Sequence, residues 1–341
     1  MMTPTVNANG SSSGAVLFLE TQGAGFSANL IEVRNELLRS RPDLELRYVI
    51  INTAKDQTVR THRMVQAACQ DASHVICASN SLPANMPAAR TGHKRILIQP
   101  IRQHMLGRTQ GSSPNWAQFT DVVAQSGFVA SAVSRELGSS ASVRLHATGL
   151  PAADRFSSDA ATARSRSALH FLAPQAEGRK VIALTSMRKA RTFLTNVDLG
   201  ELAKRLASKY FLMIKAPDTG SVLKRYPATL SEFVLDVQSS MRNIEHLLAS
   251  DILVSSVFAD AVLFSTTRRQ VRLLCSSRDA EGLGSLLPKR FTDLTLPDMN
   301  MLPESLAQRQ SAAVSTAFGD EYAGARDGQA TKALVRQLFA R

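Results

Sequence analysis

A chain of 341 residues is long enough for two domains, and its 44% hydrophobic and 20% charged residues exclude wholesale disorder. The net charge of +12 predicts an anionic partner. Its scattered basic residues and only 6% aromatic residues disfavour nucleic acid and favour phosphate-bearing substrates or anionic lipid. Three cysteines fit neither a disulfide framework nor a zinc site, so we expect a reducing compartment and no metal.

The sequence shows no pattern typical of a targeting or membrane-spanning segment. Residues 1–14 lack the charged and apolar regions of a signal peptide, and we expect them to form a flexible tail. No apolar run approaches the ~20 residues that span a bilayer. We therefore expect a cytoplasmic protein.

In the first half of the chain, short apolar runs alternate with helical patterns. We predict strands at residues 15–19, 46–52, 74–78, 96–99 and 122–125. The first helix is expected to bury Leu30, Val33, Leu37 and Leu38 on one face, and a second helix is expected over residues 61–72. Strands that alternate with helices indicate βαβ units and a doubly wound parallel sheet.

A second alternation follows a segment at residues 154–175 that is rich in Ala, Ser and Arg. It predicts strands at residues 180–185, 210–215, 233–237, 252–254 and 271–275, the last of which closes the series, and helices at 199–208, 244–249 and 331–339. We therefore predict two facing Rossmann-like α/β domains at residues 15–155 and 179–325, with the site in the cleft between them. A linker with a helix at 156–178 and a C-terminal helix at 326–341 complete the division.

The stretch ASDILVSSVFADAVLF, residues 249–264, predicts a buried strand, two serines and the start of a helix. The first turn of a helix offers backbone N–H groups to an anion, and hydroxyls add further donors there. In an open parallel sheet, ligands bind at the carboxyl ends of the strands, where this turn is expected. The alternative is that Ser255 caps the helix, as serine commonly does.

Several short motifs along the chain match one family pattern in their order. They are an opening S-x-N turn, the segments HVICASNSLP and TGLPAADRF, a signature in EHLLASDILVSSVFADAVLF that lacks three residues before its serines, and a closing DG helix. The matching positions are Ser27, Asn29, Asn80, Pro83, Thr148, Gly149, Pro151, Asp154, Ser250, Asp251, Ser255, Ser256, Asp260, Asp327 and Gly328. From about Val16 to the C-terminus, the chain resembles the CDP-glycerol glycerophosphotransferase family, the teichoic-acid and capsule polymerases.

The resemblance implies a GT-B enzyme that moves a polyol phosphate or sugar phosphate to an acceptor hydroxyl and releases CMP. Its C-terminal domain would bind a nucleotide-diphosphate donor, expected to be CDP-linked, as substrate and not as cofactor. Its N-terminal domain would present a lipid-linked or polymeric acceptor. Ser255 and Ser256 would hold the diphosphate, and Arg188 and Lys215 would neutralise it. A surface arginine and a solvated lysine at a strand end are the alternatives for the last two.

The chain departs from the family at two histidine positions. The family's presumed base lies in a loop that corresponds to IQPIRQHMLG, where either Arg102 or, with a shift, His104 is the counterpart. A plain loop histidine is the alternative for His104. Ala216 stands where a second family histidine belongs. Two further readings therefore stay open, a GT-B glycosyltransferase with another nucleotide donor and a homologue that binds without catalysing.

The charge of +12 and the resemblance together favour peripheral attachment to an anionic membrane surface, at the inner face of the cell membrane.

Overall fold

The computed structural model describes residues 14–20, 27–50, 59–78, 82, 89–98, 115–138, 142–241, 244–275, 287–307, 312–324 and 327–340. Described residues up to Ala152, together with those from Gln329 onward, form one compact unit, and described residues within Ala153–Gly328 form a second. The predicted C-terminal helix thus belongs to the first unit. The predicted linker at 156–178 belongs to the second.

Each unit contains a six-stranded parallel sheet, as the alternating pattern predicts. The strands are β1 Val16–Glu20, β2 Leu46–Ile50, β3 His74–Cys77, β4 Lys94–Ile98, β5 Asp121–Val123, β6 Arg144–His146, β7 Lys180–Thr185, β8 Tyr210–Lys215, β9 Val234–Asp236, β10 Ile252–Ser255, β11 Gln270–Leu274 and β12 Thr295–Leu296. The strand order is β2-β1-β3-β4-β5-β6 in the first sheet and β12-β11-β10-β7-β8-β9 in the second. The predicted fold class, α/β with two Rossmann-like doubly wound units, is confirmed.

Helices connect most of the successive strands within the described residues. They are α1 Ala28–Ser40, α2 Val59–Asp71, α3 Gly127–Leu137, α4 Asp159–Leu172, α5 Ala190–Leu194, α6 Leu199–Leu206, α7 Thr219–Leu223, α8 Glu245–Ala249, α9 Phe258–Ser265, α10 Leu302–Ala307, α11 Ala312–Tyr322 and α12 Ala330–Phe339. Parallel strands need such crossovers, because a tight turn cannot join two strands that run the same way.

The central strands are apolar because helices cover both faces of a parallel sheet. Along β7 every residue after Lys180 is buried, and all four residues of β10 are buried. In β8 only the two end residues are partly exposed. Each large apolar side chain that is fully buried in such a strand stabilises the folded state by roughly 1.5–3 kcal/mol. The continuous apolar runs in the sequence therefore mark these strands.

The sequence predictions are wrong at three places in the fold. Leu38 is 56% exposed, because α1 buries Leu30, Val33 and Leu37 and position 38 lies beyond that stripe. The prediction omits β6, a three-residue strand with no apolar run. It also ends the second series at β11, but β12 pairs in parallel with β11.

The C-terminal helix α12 packs on α1 in the first unit. It buries Leu334 and Leu338. The guanidinium of Arg41, at the end of α1, donates to the backbone oxygen of Phe339 at 2.9 Å, and the Phe339 ring stacks on His74 with centroids 4.4 Å apart. The ammonium of Lys94 donates to the backbone oxygen of Leu338. The last helix is therefore held by contacts to α1, β3 and β4.

Candidate functional site

The strand order of the second sheet creates a ligand-binding position between β7 and β10. From β7 the chain adds β8 and β9 on one side, then crosses over to add β10, β11 and β12 on the other. The connections that leave β7 and β10 therefore diverge, and open α/β sheets bind ligands at such a point, outside the carboxyl ends of the strands. Thr185 and Ser255, the last residues of these two strands, lie opposite each other in the register.

An inner chain of hydroxyl groups joins the two strand ends. The hydroxyls of Thr185 and Ser255 are 2.5 Å apart, and the Ser255 hydroxyl accepts from the backbone N–H of Val257 at 2.8 Å. Ser255 is fully buried. Its hydroxyl bonds Val257, the residue before α9, while the first turn of α9 itself has no side-chain cap. The capping alternative for Ser255 is therefore wrong.

An outer chain of hydroxyl groups runs beside the inner one. Ser256 is partly exposed, and its hydroxyl donates to the Ser186 hydroxyl at 3.0 Å. The Ser186 hydroxyl in turn accepts from the backbone N–H of Arg188 at 3.0 Å. The Arg188 side chain is exposed. This arrangement brings a reachable hydroxyl and a guanidinium to the same sheet edge, beside the start of α9.

Aromatic packing fixes the start of α9. Phe258, its first residue, is 3% exposed and makes edge contacts with Phe318 and Tyr322 of α11, with ring centroids 5.7 and 5.4 Å apart. Such edge-to-face pairs each add about 0.5–1.5 kcal/mol beyond the buried area. The N-terminal turn of α9 is consequently held rigidly, as preorganised anion binding by backbone N–H groups requires.

A lysine and a carboxyl group lie next to these chains. Lys215 ends β8, opposite Thr185 in the register, and its ammonium donates to the backbone oxygen of Met241. Burial lowers the pKa of Lys215, although Asp260, Glu245 and Asp236 act to raise it. In the first turn of α9, burial raises the pKa of Asp260 to about 6, against the opposing effects of a Thr185 hydrogen bond and the Lys215 charge.

The structure brings four of the predicted site residues to one sheet edge. Ser255, Ser256, Arg188 and Lys215 all follow or end strands β10, β7 and β8. His104 and Arg102 lie outside the described residues, so their assignment stays a prediction. Ala216, at the position of a family histidine, is fully buried.

Sequence reasoning missed Thr185 and Ser186, and it gave Asp260 no role although the family signature aligned it. The available signal was the pair of hydroxyl residues that follows the buried strand KVIALT, by analogy with the two serines after β10. Only the strand register shows that the two pairs lie side by side.

Two motifs of the family resemblance meet in the first unit. Ser27 caps α1 by accepting from the backbone N–H of Leu30 at 3.4 Å. Two residues later, the Asn29 side-chain oxygen accepts from the backbone N–H of Ala152 at 3.0 Å. The opening S-x-N turn therefore binds the TGLPAAD segment, where Gly149 has a φ of 89° that L side chains rarely adopt.

Within the described ranges, no group of three or more His, Cys, Asp or Glu side chains could hold a metal ion. Of the helices in the described part of the chain, none is long and apolar enough to cross a membrane.

The fold resembles that of enzymes that act on nucleotide-activated substrates. The chain is similar to a solved structure of the wall teichoic acid polymerase TagF, with 13% identity and a TM-score of 0.73, over 96% of this chain and 89% of that one. A TagF variant soaked with CDPG gives 14% identity and a TM-score of 0.72, with 96% and 89% coverage. The UDP-GlcNAc 2-epimerase from Neisseria meningitidis, bound to UDP-GlcNAc, gives 14% and 0.66, with 96% and 100% coverage.

No protein-family model matches the chain, and no curated protein sequence matches it. The similarity therefore lies in the fold. That fold is of the GT-B type, as the sequence resemblance implied, and its solved examples include the teichoic-acid polymerase that the motifs pointed to.

Proposed function

We propose that this protein is a transferase that moves a polyol phosphate or sugar phosphate from a CDP-linked donor to a lipid-linked or polymeric acceptor in cell-surface polymer synthesis. The observation that carries the proposal is the outer hydroxyl chain at the β7–β10 switch point, next to the uncapped start of α9 and Arg188. Hydroxyls, helix N–H groups and a guanidinium are the donors that a diphosphate needs.

The two serines take different roles in this proposal. Ser256 is partly exposed and contacts the diphosphate together with the N–H groups of α9. Ser255 is buried and bonded to Thr185 and Val257, so it acts by fixing the loop that presents those groups. Arg188 neutralises the diphosphate at the exposed edge. Lys215 adds positive charge from its half-buried position at the end of β8.

The acceptor side of the proposal depends on the sequence resemblance. Arg102 or His104 would face the acceptor hydroxyl, and His104 would take its proton. Attachment would be peripheral, at the inner face of the cell membrane, where a chain of charge +12 meets anionic lipid.

Two alternatives have specific support. The epimerase with the same fold binds UDP-GlcNAc, which favours a UDP-linked donor for a GT-B glycosyltransferase. The buried Ala216 at a family histidine position favours a homologue that binds a donor without turning it over.

Isothermal titration with CMP, CDP-glycerol, UDP and UDP-glucose tests the donor assignment. We expect the cytidine ligands to bind more tightly than the uridine ligands. Ser256→Ala should lower this affinity about tenfold, because a hydrogen bond to a charged group is lost. The matched control is Ser208→Ala, an exposed serine before β8, which should leave affinity unchanged.

Each of the other outcomes would favour an alternative function or remove the proposed site. Tighter uridine binding would replace the CDP donor with a UDP donor. Cytidine binding without CMP release in a transfer assay would support the binding homologue. Unchanged affinity in Ser256→Ala would remove the proposed phosphate site.

A further inference from the structure

A basic groove lies between α1 and α12 in the first unit. It has a volume of about 310 Å³. Arg39 and Arg41 contribute one wall, and Lys332 and Arg336 contribute the other. Its floor includes Phe339, which is 7% exposed. Four cations therefore surround an apolar floor.

The first wall is fixed by ion pairs. Arg39 bonds Glu36 at 2.6 Å, and Arg41 bonds Asp43 at 2.8 Å while it also donates to the backbone of Phe339. The Arg41 contact joins the end of α1 to the end of α12. This wall is consequently held in place, with its positive charges largely balanced by two carboxylates.

The second wall carries positive charge that is not balanced. Lys332 and Arg336 are exposed and lie four residues apart, on the same face of α12. Within the described residues, neither forms an ion pair. Like charges at this spacing destabilise a helix, and the four cations that line the groove have two carboxylate partners, Glu36 and Asp43. A ligand with negative charge would relieve this repulsion.

We propose that this groove binds the phosphate headgroup of an anionic phospholipid and so attaches the first unit to a membrane surface. Long Lys and Arg side chains above an apolar floor can keep their charges at headgroup level while their stems cover apolar surface. Among the described residues that line the groove, Phe339 has the only aromatic ring, and it is buried against His74, so these residues offer no exposed surface for stacking a base. These features favour a lipid phosphate over a nucleotide.

This proposal locates the peripheral attachment proposed above, but it does not depend on the donor chemistry. The test is co-sedimentation of the full chain with vesicles of phosphatidylglycerol and phosphatidylcholine, compared with pure phosphatidylcholine vesicles. Lys332→Ala with Arg336→Ala should weaken binding to the anionic vesicles roughly 30-fold, from the usual contribution of two basic residues near an anionic surface. Binding should also fall as salt rises.

The matched control is Lys224→Ala with Arg225→Ala, which removes the same charge from exposed positions after α7. The proposal predicts that this control binds anionic vesicles nearly as the wild type does. Equal losses in the two double variants would show a general charge effect and overturn the groove. Equal binding of the wild type to both vesicle types would also overturn it.

Two further measurements distinguish a lipid from a soluble anion as the ligand, and a failure of the groove proposal from a failure of the donor proposal. Titration with inorganic phosphate distinguishes a soluble anion from a lipid: phosphate binding that the groove variant loses, without vesicle binding, would overturn the membrane assignment. Titration with CMP should give the same affinity in the groove variant and the wild type. Normal nucleotide binding together with absent vesicle binding would therefore refute the groove and leave the donor proposal intact.

Discussion

Each of the two sheets carries an aspartate among other polar groups, and the pKa values of the two carboxyl groups are shifted in opposite directions. In the first sheet, Asp121 and His146 lie at the beginning of β5 and at the end of the three-residue β6, and they form a paired cluster. In the second sheet, Asp260 lies beside the carboxyl ends of β7 and β8, among hydroxyls. The first cluster joins elements of the fold, whereas the second lies where ligands bind in such sheets.

The first cluster satisfies a buried charge completely. Asp121 is 1% exposed, and its carboxylate accepts from the Thr120 hydroxyl at 2.7 Å and pairs with His146 at 2.8 Å and Arg144 at 3.2 Å. Burial raises the pKa of Asp121, but hydrogen bonds from His146 and Thr120 and the charge of Arg144 outweigh it, so the net pKa is lowered. The hydrogen bond to Asp121 raises the pKa of His146. Because His146 also bonds Gln337 at 3.0 Å, this pair holds α12.

The second cluster leaves its carboxyl group less compensated. Burial dominates at Asp260, and the Thr185 hydroxyl and Lys215 offset it only in part, so its pKa rises to about 6. The Lys215 ammonium itself donates to a backbone oxygen. A carboxyl group whose pKa is shifted by burial and by a specific charged partner is a candidate for a functional site. In these two sheets, the fully paired carboxyl group joins elements of the fold, and the incompletely paired one lies at the candidate site.

The largest effect is expected from Asp121→Asn, which breaks a buried ion pair. We expect a loss of about 2–4 kcal/mol in the free energy of unfolding near pH 5.5, measured by urea denaturation. The control Glu45→Gln removes an exposed pair with Arg47 and should cost less than about 0.5 kcal/mol.

The loss in Asp121→Asn should depend on pH. The lowered pKa of Asp121 gives stability that is present above the ordinary value of 3.8 and is lost as pH falls through the folded-state pKa. The raised pKa of His146 gives stability that is present below 6.5 and is lost as pH rises through its folded-state pKa. The loss of unfolding free energy should therefore be larger at pH 5.5 than at pH 8.5. Equal losses at the two pH values would contradict an ion pair between Asp121 and His146.

Asp260→Asn is expected to have a smaller effect on the free energy of unfolding, and one of opposite sign, namely a gain in stability. Because the folded-state pKa of Asp260 is raised, the contribution of this group to the stability of the wild type is greatest below pH 3.8 and is lost as pH rises through about 6. Asparagine cannot ionise, so the variant should be more stable than the wild type at pH 8, by about 1–3 kcal/mol, with the difference shrinking toward pH 5.

Thermal or urea unfolding of Asp260→Asn across this pH range provides the measurement. Asp159→Asn changes an exposed aspartate in the first turn of α4 and should show no gain at pH 8. A loss of stability in Asp260→Asn at pH 8 would mean that this carboxyl is as fully paired as Asp121.

The smallest effect is expected from Arg188→Met. The exposed side chain should contribute to nucleotide binding and little to stability, so we expect about tenfold weaker CMP binding and a change in unfolding free energy within about 0.5 kcal/mol. Lys180→Met, at the other end of β7, is the control and should leave CMP affinity unchanged. A large loss of stability in Arg188→Met would instead mean that this arginine has a structural role, as Asp121 has.

Much of the fold could be predicted from local pattern. The strands predicted from KVIALT and YFLMIK have the observed bounds of β7 and β8, because strands buried on both faces are continuous apolar runs. The two-residue strand β12 has no such run and is set by pairing with β11. Leu38 shows the same limit on α1, where the width of the buried stripe depends on the neighbouring elements.

The candidate site, like the fold, has features that local sequence predicts and features that only the tertiary structure determines. The sequence by itself determined that Ser255 and Ser256 follow a buried strand and precede a helix, since those signals are local. Only the tertiary structure decided that Ser255 is buried against Thr185, that Ser256 reaches Ser186, and that Asp260 has a raised pKa. The residues in these pairs are about 70 positions apart in the chain. Strand register and burial bring them together, and neither can be read from a short stretch of sequence.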